Sequence, residues 1–159
     1  MTFQESIIEG TSKSAAEAFK YAKQVPADKL DWKPLDAGRS VLDICREMAM
    51  CASWSTMILS GQGFPEFSEE GMAEMKKMQE GWTTAEACEE VCNKNLDDFF
   101  AAVKSFPDSK LGDTFTLPFD GGQTINMREN MAYPSWNFMY HQGQIAYIQT
   151  LYGDNKMYW

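Results

Sequence analysis

The sequence predicts an all-α protein, a four-helix bundle with a long loop after the first helix, one short extra helix and a small strand or ribbon before the last helix. Three observations predict it. A helix-start device occurs four times, and each occurrence opens a segment with apolar residues at helical spacing. The 159 residues, 44% of them hydrophobic, are enough to bury one core but not two independent ones, so residues 1–159 read as a single domain.

In the start device a capping side chain is followed three residues later by a carboxylate that can bond back to the cap's own amide. Thr2 with Glu5 opens the first helix, where Phe3, Ile7, Ala15, Ala18, Phe19 and Ala22 share a face. Its end is expected near Gln24, because Pro26 restricts Val25 to extended conformations. Residues 25–39 contain Pro26, Trp32, Pro34 and Gly38, too much punctuation for regular structure, and are long enough to cross one end of a bundle. Ser40 with Asp43 opens the second helix, which carries Leu42, Cys45, Ala49, Ala52, Thr56 and Leu59 as far as Ser60 and the natural C-cap Gly61. Within 64–82, Met72, Met75 and Met78 predict the short extra helix.

Thr83 with Glu86 opens the third long helix, with Val91, Cys92, Leu96, Phe99, Val103 and Phe106 as its stripe before Pro107. Residues 114–119 alternate polar and apolar and lead into Asp120-Gly121-Gly122, which predicts the strand or ribbon. Asn126 with Glu129 opens the last helix, which carries Met131, Phe138, Ile145, Ile148 and Tyr152 and stops at Gly153. Pro134 lies inside it and removes the amide that would bond the Asn130 carbonyl, so a kink is expected there.

Composition narrows the function. Fourteen basic against 23 acidic residues give a formal charge of −9, which repels phosphate backbones and anionic membranes. No nucleic-acid or membrane partner is expected. Glu5, Glu9, Lys13, Glu17 and Lys20 break up the N-terminal apolar residues, so no export signal is expected and the predicted location is cytoplasmic. Cys45, Cys51, Cys88 and Cys92 are then expected as free thiols. Cys88 and Cys92, at i,i+4, could be apolar filling or a metal or redox pair, and the 11 methionines read as flexible core filler. Gly61-Gln62-Gly63 lacks the strand and spacing of a nucleotide-binding loop, and no organic cofactor is expected.

The chain has one histidine. His141 lies one helical turn beyond Asn137, and the spacing aims both side chains the same way, either as hydrogen-bonded core groups or as ligands.

The segment His141-Gln142-Gly143-Gln144-Ile145, followed by Tyr147 and Leu151-Tyr152-Gly153, resembles the terminal His-x-Gly-Gln segment of the DinB/YfiT-like family. The loop Val25-Pro26-Ala27-Asp28-Lys29-Leu30-Asp31-Trp32-Lys33-Pro34, the helix start at Ser40 and the strand with Gly121-Gly122 are similar to that family's in the same order. The resemblance implies a four-helix bundle with a divalent metal held by three histidines, one from the second helix and two from the last. It also implies kinship with thiol-dependent transferases and isomerases. By position the triad falls at Glu47, Asn137 and His141, so two of the three histidines are replaced.

A carboxylate, an amide oxygen and one imidazole nitrogen could hold zinc or nickel only loosely. Cys51, one turn beyond Glu47, could strengthen the set. The opposing reading is a buried acid–imidazolium pair of Glu47 and His141, with Asn137 hydrogen-bonded nearby and no tightly bound metal. No catalytic residue is assigned. The expected function is binding of a small ligand at a degenerate metal site. The alternatives are a divalent-metal-dependent transferase or hydrolase of the thiol-S-transferase type, and a homodimeric scaffold. The apolar tail Met157-Tyr158-Trp159 must fold back onto the bundle or meet another subunit.

Overall fold

The long helices begin where a side chain satisfies the first free amides. In the computed structural model, which describes residues 1–64, 68–119 and 121–158, the elements are α1 (Phe3–Ala22), α2 (Val41–Leu59), α3 (Glu69–Gln79), α4 (Ala85–Ser105), a 3-10 turn (Asp108–Lys110), β1 (Thr114–Thr116), β2 (Thr124–Asn126) and α5 (Met127–Leu151). Asp120 of the expected glycine turn and Trp159 of the tail lie outside the described residues. Reciprocal capping boxes form at Thr2, Ser40 and Asn126.

The fourth start corrects the expectation at Thr83. Thr84 caps α4, its hydroxyl accepting the Ala87 amide at 3.1 Å. The turn before it holds Thr83 outside the helix: the Trp82 amide bonds the Gln79 carbonyl, and the Trp82 carbonyl accepts from Arg46 Nε at 3.1 Å. Glu86 then lies in the first turn, where its charge favours the helix N-terminus without closing a box.

Around the bundle, α2 packs on α4 and α5, α1 packs on α5 and α4, and α1 barely touches α2. Helices α1 and α2 therefore stand diagonally opposite, which is why the connection between them must cross the bundle end. Leu30 anchors that crossing, buried and accepting the Leu42 amide at 2.9 Å, while the Trp32 ring meets Tyr152 edge-on at 6.2 Å. The passage from α4 to α5 runs through the 3-10 turn and the antiparallel β1–β2 ribbon, registered Phe115 opposite Ile125. No helix among the described residues is long and apolar enough to cross a membrane.

Phe19, Ile44, Phe99, Met131, Phe138 and Ile145 fill the core. Methionine is core filler only at Met48, Met127 and Met131, whereas Met1, Met72, Met78, Met139 and Met157 are exposed. Helix α3 buries no residue, its three methionines being outnumbered by charged neighbours. All four cysteines are free and buried. Burial raises each thiol, Cys88 to about 11 and Cys92 to about 12, and Cys51 and Cys92 donate to the same Met48 carbonyl at 3.2 and 3.6 Å. Protonated and enclosed, they pack as small apolar groups. The tail folds back: the Tyr158 amide donates to the Tyr21 hydroxyl at 3.3 Å, and the two rings meet edge-on at 5.4 Å.

Helix α5 runs unbroken through Pro134. Proline cannot donate to the Asn130 carbonyl. Ser55 of α2 does so instead, its hydroxyl reaching that oxygen at 3.2 Å, and the Asn130 amide returns a bond to the Ser55 carbonyl at 3.1 Å. The pair is buried and fixes α2 against α5 at this level. Ser55→Ala should strand the carbonyl and cost about 1–3 kcal/mol in urea unfolding. Adding Pro134→Ala returns an in-helix donor and should recover part of that loss. Equal Ser55→Ala costs in both backgrounds would show that the carbonyl does not depend on Ser55.

Candidate functional site

Helices α2 and α5 run antiparallel, so moving from Ser55 back to Glu47, about two turns or roughly 12 Å, corresponds to moving from Asn130 forward to Asn137 and His141. The latter two share a face at i,i+4 and are each 1% exposed. Position 47 thus meets position 141 because the Ser55–Asn130 pair sets the register.

At the meeting point His141 Nε2 lies 2.8 Å from Glu47 Oε1, and Asn137 Nδ2 donates to the same oxygen at 3.2 Å. The other carboxylate oxygen, Oε2, accepts from Arg39 Nη1 at 2.6 Å, and Arg39 Nη2 donates to the Asp43 carbonyl at 3.1 Å. His141 Nδ1 faces Gln144 Oε1 at 2.7 Å, and Gln144 Nε2 donates to the Tyr140 hydroxyl at 3.1 Å. Both ring nitrogens therefore have a hydrogen-bond partner. The bond from His141, reinforced by the charges of His141 and Arg39, holds the Glu47 carboxyl at about 2 against the opposing effect of burial.

The structure brings Glu47, Asn137 and His141 together as a hydrogen-bonded cluster. Cys51 does not join it. Its thiol points at the Met48 carbonyl on its own helix, and burial with the nearby Cys92 and Glu47 opposes the thiolate a metal would need.

The donor set does not fit a tightly held divalent ion. His141 Nε2 and Glu47 Oε1 are bonded to each other, Asn137 presents its amide nitrogen, and a guanidinium stands against the remaining carboxylate oxygen. Among the described residues no three His, Cys, Asp or Glu side chains gather closely enough to hold a metal ion. The buried Asn137 Oδ1 has no hydrogen-bond partner among the described residues.

Glu47 also lines a cleft of 970 Å³ that runs along the α2–α5 seam toward the ribbon. Trp54, Phe64, Phe119, Tyr133 and Trp136 form its walls, with Ser55 and Asn130 also lining it. The rings support one another: Phe64 lies 6.0 Å from Trp54 and 5.1 Å from Phe119, Tyr133 lies 5.7 Å from Trp136, and Trp136 stacks on Tyr140 at 5.3 Å.

Arg39 and this aromatic lining are absent from the sequence expectations. Arg39 stands outside α2, so no helical spacing links it to Glu47. Tyr133, Trp136 and Tyr140 do recur at three and four residues, but on the outer side of α5, where a search for core stripes passes over them.

The depressed Glu47 carboxyl makes the cluster a source of pH-dependent stability. Its contribution is present above the ordinary value of 4.5 and is lost as pH falls from there toward about 2. Between those limits wild type should lose on the order of 3 kcal/mol relative to Glu47→Gln. Parallel acid limbs for the two proteins in denaturant titrations would contradict the pairing.

No protein-family model and no curated protein matches the chain. Solved structures do. YfiT from Bacillus subtilis, described as a probable metal-dependent hydrolase with an unusual four-helix bundle topology, superposes with a TM-score of 0.76 at 14% identity, over 94% of this chain and 87% of that one. A mycothiol-dependent maleylpyruvate isomerase superposes with a TM-score of 0.64 at 12% identity, over 91% of this chain and 63% of that one. The chain has the DinB/YfiT-like four-helix fold.

Proposed function

We propose that the protein binds a small organic molecule in the α2–α5 cleft, with the Glu47–His141 cluster as the polar boundary of the site and no tightly held metal. The carrying observation is the aromatic-walled cleft that abuts a buried polar cluster. Its 970 Å³ and its few polar groups suit a small-molecule site. Glu47 is a poor general base, being held ionised near 2, and His141 has both nitrogens engaged, so the cluster favours holding and orienting over proton transfer.

A second reading follows from the fold shared with a probable metal-dependent hydrolase and a thiol-dependent isomerase. A transferase or hydrolase of that kind needs Arg39 to leave Glu47 and the Glu47–His141 bond to open around an ion.

Two measurements test the proposal. The neutral dye N-phenyl-1-naphthylamine should bind one per chain, and Ala132→Trp, at an exposed position lining the cleft, should abolish the binding. Dye binding indifferent to that variant would remove the cleft from the account. Untagged protein dialysed after growth with zinc and nickel should retain far less than one metal ion per chain. Stoichiometric metal that is lost in both Glu47→Ala and His141→Ala would establish the second reading instead.

A further inference from the structure

The cleft's lining specifies the charge of what it takes. Its charged members are the carboxylates Glu47 and Glu129, and no lysine or arginine lines it among the described residues. Glu47 shares its charge with Arg39 and His141. Glu129 is exposed at the start of α5, gives one oxygen to the Asn126 amide at 2.7 Å, and has no cationic partner among the described residues. Glu129 thus supplies unneutralised negative charge on a molecule already at −9. An anionic ligand meets no cationic side chain among the described lining residues.

The walls point the same way. Trp54, Tyr133 and Trp136 line the cleft with electron-rich rings, and the faces of such rings attract a cation once water is displaced. Ser55 and Asn130 spend their side-chain donors on each other's main-chain carbonyls, which leaves neither donor for an anion. Ile58, Leu117 and Ile125 add apolar lining that suits alkyl groups on the cation.

Resting on the cleft assignment above, we propose that the ligand is an organic cation, a tertiary or quaternary ammonium carrying an apolar body, held by the rings of Trp54, Tyr133 and Trp136 beside Glu129. The ammonium lies against the ring faces, its alkyl groups fill the space between the walls, and Glu129 supplies the long-range attraction.

Titrations with three probes of similar shape test this: phenyltrimethylammonium, its uncharged carbon counterpart tert-butylbenzene, and benzoate. Trp54 and Trp136 fluorescence reports binding, and calorimetry supplies an independent measure. The cation should bind at least about tenfold more tightly than the neutral probe, and benzoate should bind more weakly than either. Trp136→Leu should weaken the cation more than the neutral probe, and Glu129→Gln should weaken only the cation, with an effect that fades as salt rises. Equal affinity for cation and neutral probe would overturn the proposal while leaving the cleft assignment standing. Tighter binding of benzoate would overturn it as well. Failure of all three probes, together with failure of the neutral dye, would remove the cleft assignment itself.

Discussion

A single buried imidazole must be satisfied, and much of the site is arranged around that requirement. His141 is the chain's one histidine and is 1% exposed. A ring so enclosed needs a partner for each nitrogen, because an unmet buried donor costs about 1–3 kcal/mol. Glu47 provides one from the opposite helix and Gln144 the other from the next turn. The carboxylate in turn takes Arg39, whose guanidinium reaches its other oxygen. Where the fold's resemblance implies a metal ion, Glu47 faces the Arg39 guanidinium and the His141 ring.

That cluster can exist only because α2 and α5 are held in one register. Pro134 leaves the Asn130 carbonyl without an in-helix donor, and Ser55 supplies one across the interface. A local defect in α5 thereby becomes a specific joint between helices. About two turns away the same register brings Glu47 against His141, and the seam between joint and cluster is where the aromatic cleft lies. The ribbon completes one side through Leu117 and Ile125, so the passage from α4 to α5 contributes to the site as well as to the topology.

The fold was legible because its signals are local. A cap with a carboxylate three residues on, followed by a 3.6-residue stripe, defines a helix without tertiary information, and at Thr2, Ser40 and Asn126 the boxes close as the spacing implies. At Thr83 two adjacent threonines offered the same chemistry, and the turn at Trp82 selected Thr84. Asn137 and His141 were legible as a pair for the same reason, being i,i+4 on one face. Glu47 was reached only through the family resemblance, since nothing in the spacing of 47 and 141 tells which helix levels meet. Arg39 and the cleft's rings depend on how the bundle closes, which no one-dimensional pattern contains.

Glu47 and His141 share a hydrogen bond of 2.8 Å, and because the chain has one histidine its imidazole can be observed without ambiguity. Proton–nitrogen NMR of the ring nitrogens tests that bond. The structure predicts an Nε2 proton that exchanges slowly with water and whose resonance moves in Glu47→Gln. A ring whose protons exchange freely, or whose signals are indifferent to that substitution, would contradict it.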